Sequence, residues 1–324
     1  MFNKKLVMSL LALVVFALPL VGCSNSGSGS DDQFDLAIVS ISPSEANNAR
    51  FIKGVEEAVA DLGWKVSVTD AHGSADEANA AIQNFVTRKV DAIIDMVFPV
   101  TSLASGLRVA SEAKIPVGTW GGGMGTAVVV TNGSGGLHSI PIVEQMIKDM
   151  EGKGDVLALT YRTGQVARER EDVLDKAFAD YPEIKVTKNE VKIPGYLQDG
   201  AQYANAWLAS HPSGSSKLAI WGSWDDPALG AISSLKQQDR KDVLVYGQNG
   251  NADAIKAVRE GWMTATAWQD SYSEGIKMVE VLVEAIEKGD EWEPIAAEIP
   301  AVLITKDNVE QFIKDHPEAI ENVQ

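Results

Sequence analysis

The sequence predicts an α/β protein of two doubly wound parallel-sheet domains, joined by a multi-strand hinge, with a ligand cleft between them. Three observations carry this. Short apolar runs alternate with stretches of helical spacing, the pattern of repeated β-α-β units. The series pauses at a Gly- and Ser-rich stretch, residues 132–137, and restarts beyond it. About 290 residues follow the first 33, enough for two domains of ordinary size.

In the first series, Phe34–Ser40 reads as a strand. Residues 49–62 read as a helix, with apolar side chains at 51, 52, 55, 58, 59 and 62 forming one buried stripe, and Gly63 ends it. Lys65–Asp70 alternates and is β-branched, the mark of a strand. Ala75–Thr87 is helical, Ala92–Phe98 a buried strand, Thr101–Ala113 a helix, Pro116–Trp120 a strand and Val128–Thr131 a further short strand. In the second series Ile140–Met150, Val166–Tyr181, Gly200–Ser210, Pro227–Gln238, Ala252–Glu260 and Ser271–Lys288 have helical spacing. Between them Val156–Tyr161, Lys185–Lys192, Leu218–Trp221, Val243–Tyr246 and Thr264–Trp268 read as strands. The expected division is 34–131 with 271–299 in a first domain, and 132–270 with 300–324 in a second.

The first residues follow another logic. Lys4 and Lys5 precede an apolar run, Leu6 to Leu20, broken only by Ser9 and Pro19; then come Leu20-Val21-Gly22-Cys23 and a Ser/Gly stretch to residue 30. This is the layout of a secretory signal. It resembles the lipobox of bacterial lipoproteins. The resemblance implies that 1–23 is a signal peptide ending at a lipidated Cys23, that 24–33 is a flexible linker, and that the exported protein is held at the cell membrane, on the surface or in the periplasm, by lipid. A plainly cleaved signal or a short membrane anchor are the other readings; the run is shorter than the roughly 20 apolar residues a spanning helix needs. Cys23 is the only cysteine, which excludes disulfides and thiol chemistry from the folded part.

A net charge of −17 argues against nucleic acid, whose binding needs basic patches, and against docking on anionic lipid; it reads as solubility. The four histidines, His72, His138, His211 and His316, are far apart and form no HExxH-type spacing. No metal and no cofactor is expected.

In open α/β sheets, ligands bind beyond the carboxyl ends of the strands. Those positions hold Glu45, Asn47 and Asn48 after the first strand and Trp120 at the fourth. In the second series they hold Arg170, Tyr196, Trp224, Asp225, Asn249 and Gln269. Aromatic faces pack on the C–H faces of a sugar ring, and amides and charged forks pair with neighbouring hydroxyls. These ten residues are the candidate ligand-binding set; no catalytic residue is assigned. Asp225 also suits a helix N-cap, and Arg170 has Glu169 and Asp172 as nearby ion-pair partners. Gly121–Gly123 has no helix after it and is not a dinucleotide fingerprint. Trp207 and Trp221 fall within apolar patterns and read as core.

Four segments, in order, carry a family resemblance: Ala167-Arg168-Glu169-Arg170, Trp224-Asp225-Asp226-Pro227-Ala228-Leu229-Gly230, Tyr246-Gly247-Gln248-Asn249-Gly250 and Ala265-Thr266-Ala267-Trp268-Gln269. The chain resembles the periplasmic sugar-binding proteins of the ribose/galactose type, substrate-binding components of ABC importers. The resemblance implies a monomer that captures a small sugar or related polar solute and delivers it to the membrane subunits of an ABC permease. It implies that Arg170 clamps ring oxygens, that Asn249 stands where the family has an Asp, and that Gln269 binds at the last crossover. Trp224 stands where a ribose binder has Asn, trading hydrogen bonding for stacking. Glu45, Asn47 and Asn48 occupy the first-domain binding loop. The departure is Gly121-Gly122, where the family commonly carries Asp-Arg. The expectation is open space for a larger ligand, or one with an apolar or phosphate group, and Glu45 in place of the missing acid.

Two other functions fit parts of this pattern. A sensory or chemotaxis receptor of the same fold has the same sequence features. An exported sugar-acting enzyme would use a carboxylate pair from Glu45, Asp225 and Asp270, but no G-x-S-x-G elbow, P-loop or metal motif accompanies them. The sequence is therefore read as a binding protein and not an enzyme.

Overall fold

The computed structural model describes residues 33–320 except residue 215. Cys23, the expected signal segment and nearly all of the expected linker lie outside the described residues. The strands are β1 (Asp35–Ser40), β2 (Lys65–Asp70), β3 (Ala92–Met96), β4 (Val117–Trp120), β5 (Val128–Asn132), β6 (Gly154–Thr160), β7 (Ile184–Glu190), β8 (Leu218–Gly222), β9 (Val243–Asn249), β10 (Ala265–Trp268), β11 (Ile295–Ala296) and β12 (Val302–Thr305). The helices are α1 (Ala46–Asp61), α2 (Ala75–Arg88), α3 (Ala104–Glu112), α4 (Gly135–Met150), α5 (Gln165–Phe178), α6 (Tyr196–Leu208), α7 (Asp225–Gln237), α8 (Ala252–Glu260), α9 (Ser271–Lys288) and α10 (Val309–Asp315).

They form two parallel-sheet α/β domains, as the alternation predicts. The first sheet runs β11-β5-β4-β3-β1-β2 and the second β12-β10-β9-β8-β6-β7. Every pairing is parallel except that of β12 with β10. Helices cover both faces, so the central strands are buried on both sides. Leu36 and Ile38 of β1 join a core with Phe51 and Val55 of α1, while Ala37 and Val39 join another with Ile82 and Phe85 of α2. Trp207 and Trp221 are core residues, as their pattern predicts.

The chain passes between the sheets three times. It leaves β5 for α4, which packs on β9 and β10; it leaves β10 for α9, which packs on α1 and β5; and it links β11 to β12. In register, Ser40 pairs with Met96, Met96 with Trp120 and Trp120 with Asn132. One end of the first sheet thus gathers the carboxyl ends of its strands.

Three helices start earlier than their apolar spacing suggests. The start of α1 is Ala46, because the Glu45 carboxylate accepts from the Asn48 amide and caps the helix. The start of α4 is Gly135, inside the stretch read as a crossover: the Gly135 amide donates to the Glu169 carboxylate (2.9 Å), and an anion at a helix N-terminus is favourable. The start of α6 is Tyr196. β11, β12 and α10 carried no readable signal; β11 is two residues long and exposed.

Helix pairs approach closely through glycines. A methyl group on Gly54 of α1 would collide with the Tyr272 carbonyl oxygen of α9, and one on Gly275 of α9 with the Phe51 carbonyl oxygen of α1. Gly200 and Gly230 play the same part between α6 and α7. Gly54→Ala is expected to destabilise by about 1–3 kcal/mol, the usual cost of overpacking. Denaturant melts check this, and an unchanged midpoint would show that the helices have room to part.

Candidate functional site

A narrow cavity of about 60 Å³ lies between the strand ends of the two sheets. The first domain supplies Ile41, Ser42 and Glu45 from the β1–α1 turn, Asn47 and Asn48 from the start of α1, Val97 after β3 and Trp120 at the end of β4. The second supplies Tyr161 after β6, Val166, Ala167 and Arg170 of α5, and Ile193 after β7. It also supplies Ser223 and Trp224 after β8, Asn249 at the end of β9 and Gln269 after β10. Eight of the ten expected residues therefore reach the cavity: Glu45, Asn47, Asn48, Trp120, Arg170, Trp224, Asn249 and Gln269.

Arg170 sits at the centre, 2 % exposed. One terminal nitrogen donates to the Ser223 carbonyl (2.7 Å), the other to Asn249 Oδ1 (2.8 Å) and Gln269 Oε1 (3.4 Å). Burial lowers its pKa to about 10, against the opposing pull of Asp225 and Glu45, so it stays cationic at neutral pH. Glu169 accepts its hydrogen bonds elsewhere, from Ser134, Gly135, Gly136 and Gln165, and supports Arg170 only through its charge. Asn249 is held at φ 100° and Val97 at φ 79°, conformations an L-residue adopts only when its surroundings impose them. At Val97 the surroundings are visible: its N–H donates to the Trp120 carbonyl (2.8 Å), and its carbonyl accepts from Gln165 of the other domain (3.0 Å).

Further bonds tie the two domains across the cavity. Arg50 of α1 donates to the carbonyls of Asn249 (2.8 Å) and Gly250 (3.1 Å) as well as to Asn47 Oδ1 (2.8 Å). Asn47 donates to Gln269 Oε1 (3.3 Å). Asn251 donates to Glu45 Oε1 (3.2 Å) and to Asp226 Oδ1 (3.4 Å), so one amide sits between two carboxylates. Behind the wall, Glu274 is fully buried and accepts from Trp120 Nε1 and Gln269 Nε2, each at 2.7 Å. Burial raises its pKa to about 8.

Residues 38–291 match the family model of the periplasmic binding protein domain. The chain belongs to that family. Among its relatives, the ribose import binding protein RbsB of Bacillus subtilis is 25 % identical over 293 residues, spanning 82 % of this chain and 88 % of that protein. A xylitol-binding protein of Mycolicibacterium smegmatis is 28 % identical over 265 residues, 78 % of this chain and 71 % of that one. In fold, an ABC transporter solute-binding protein from Agrobacterium vitis with bound allitol aligns at TM-score 0.80 and 24 % identity, covering 87 % of this chain and 99 % of that one. These relatives are binding proteins, in keeping with the reading of this chain as a receptor and not an enzyme.

Three expectations for this binding protein need correcting. Asp225 does not line the cavity and its carboxylate does not cap α7; it accepts from the Asn251 amide and Thr266 Oγ1, each at 2.7 Å, and so pins the ends of β9 and β10. Tyr196 also lies off the wall, edge-on to Trp224 at 5.5 Å. The Gly121-Gly122 gap is not open space. A side chain at Gly121 would strike Val166 of the other domain, and one at Gly122 the Asp95 carboxylate.

Other residues escaped the sequence reading. Arg50 lies off the apolar stripe of α1, one turn after Asn47, and that spacing is the signal that finds it. Tyr161, Val97, Val166 and Ile193 look like ordinary strand ends and helix starts; only the closing of two domains brings them together. Arg50→Met is expected to weaken solute binding about tenfold or more, since hydrogen bonds from a charged group are each worth about 1.5–3 kcal/mol. Titration calorimetry on the best-binding sugar reads this. An affinity unchanged from wild type would mean that the Arg50 bridge does not support the bound state.

Proposed function

We propose that this member of the family is a lipid-anchored extracytoplasmic receptor that captures a small sugar or sugar-like solute and passes it to an ABC importer. The observation behind this is the buried Arg170–Asn249–Gln269 cluster facing Glu45, Asn47 and Asn48 across one cavity between two domains. The names of relatives that import ribose or bind xylitol point the same way.

In this reading 34–131 with 271–299 and 132–270 with 300–324 move as two bodies. The solute favours their closed arrangement by bridging them. The permease subunits then take the closed monomer as their partner. Cys23 carries the lipid. Cys23→Ser is expected to release the chain from the membrane fraction and abolish incorporation of an alkyne-tagged fatty acid; retention of the label would rule out this anchor.

The direct test is a thermal-shift screen of the full chain in detergent against pentoses, hexoses, polyols, nucleosides and furanoses. A solute that binds only the folded state raises the midpoint with the logarithm of its concentration over Kd. Silence across the screen would overturn the proposal.

A further inference from the structure

The cavity wall divides by chemistry. On its polar side, most hydrogen-bonding capacity is already engaged within the protein. Gln269 Oε1 accepts from Asn47 and Arg170, and its amide donates to Glu274. Glu45 accepts from the Asn48 amide with one oxygen and from Asn251 with the other. Both terminal nitrogens of Arg170 are occupied. Arg170 Nε, Ser223 Oγ and Trp224 Nε1 are buried without a partner, and all three residues line the cavity.

Another part of the lining is hydrocarbon: Ile41, Val97, Val166 and Ile193, with the ring of Tyr161, which meets Val97 beside Gly164 and Ile193 beside Gly73. Where side chains are absent at Gly121 and Gly122, Val166 of the other domain and the buried Asp95 fill the room. A hydroxyl group turned toward Val97, Ile193 and the Tyr161 ring would lose its water among hydrocarbon, which is unfavourable.

Resting on the reading that this cleft takes a sugar-like solute, we infer that the solute is a monosaccharide-sized ring with two edges of opposite character. One edge carries adjacent oxygens for Arg170 Nε, Ser223 Oγ and their neighbours. The other is deoxygenated, as in a 6-deoxy sugar, and its methyl group packs among Val97, Ile193 and Tyr161. The strained Val97 is then the residue that selects against hydroxyls.

Titration calorimetry of the full chain in detergent tests this with two matched pairs, L-fucose against L-galactose and L-rhamnose against L-mannose, whose members differ only in the 6-hydroxyl. D-Ribose and myo-inositol serve as fully hydroxylated references. The deoxy member of at least one pair is expected to bind about tenfold or more tightly than its partner, the size of one unpaired buried hydroxyl. Val97→Asn should shrink that ratio about fivefold or more. Asn adopts positive φ more readily than valine, so this variant is expected to melt no earlier than wild type. Equal or tighter binding of the hydroxylated members, or binding of ribose or myo-inositol alone, overturns the two-edged ligand and leaves the receptor reading standing. No binding by any of these six compounds overturns the two-edged ligand, and silence across the whole thermal-shift screen as well overturns both.

Discussion

Arg170→Ala is expected to abolish measurable solute binding, an affinity loss of more than about 100-fold, because truncating a buried hydrogen-bonded charge typically costs 2–5 kcal/mol or more of binding energy. The guanidinium joins three pieces of the second domain: Ser223 after β8, Asn249 at the end of β9 and Gln269 after β10. Without it, Asn249 loses the bond from Arg170 to its side-chain oxygen at a backbone angle of φ 100°, and the cavity loses its buried Nε donor. Arg170→Lys keeps the charge but not the planar fork, and should recover only a small part of the affinity. The midpoint of the unliganded protein should move much less than the affinity, because removing a fully desolvated charge offsets part of what its bonds contribute. Calorimetry and thermal melts on the same preparations separate the two effects. Affinity within about fivefold of wild type, small against the cost of losing a buried charged partner, would place the binding surface elsewhere.

Raising the pH from about 6 to 8.5 is expected to lower both the melting midpoint and the solute affinity. Burial raises the pKa of Asp225 to about 7 and that of Glu274 to about 8. Asp226 is also raised, by burial and by the neighbouring carboxylates of Glu45 and Asp225. The sign follows from linkage. In the unfolded chain these groups lose their protons near pH 4, whereas the folded chain keeps them. Their contribution to stability is therefore complete below pH 4 and is lost as pH rises through 7 and 8, by at most about 1.4 kcal/mol per pH unit per group. His138 works in the other direction. Its ring nitrogen Nε2 donates to the Ile299 carbonyl (2.8 Å), and burial lowers its pKa to about 4, so its contribution is lost on acidification from about 6.5 to 4. Ordinary carboxylates no longer titrate above pH 6, which leaves the upper window to the buried acids. Asp226 shares the Asn251 amide with Glu45 of the other domain, so opening the cleft would relieve this repulsion and high pH favours the open form. Asp226→Asn should flatten the decline in affinity. A midpoint that holds level or climbs between pH 6.5 and 8.5 would contradict these protonation states.

The sequence determined much of this molecule. Its alternating apolar runs and helical stripes specify the β-α-β series, because buried parallel strands and their covering helices each demand a distinct local period. The strand-end rule brought eight of the ten expected residues to one cavity, since a residue just past a strand of a parallel sheet has only one end of the sheet to occupy. Tertiary structure decided what that rule cannot reach. Asp225 and Tyr196 fit it by position, yet their side chains turn away, one into bonds with Asn251 and Thr266 and the other against Trp224. Arg50 reads as an ordinary charged residue of α1 until Asn249 and Gly250, about 200 residues away, supply its acceptors. Gly121 and Gly122 signal missing side chains in the sequence and filled space in the fold, because Val166 reaches Gly121 from the other domain and Asp95 reaches Gly122 from the neighbouring strand β3. Local periodicity encodes which face of an element is buried; the contacts made across a domain boundary depend on how two separately determined surfaces meet, and no local pattern records that.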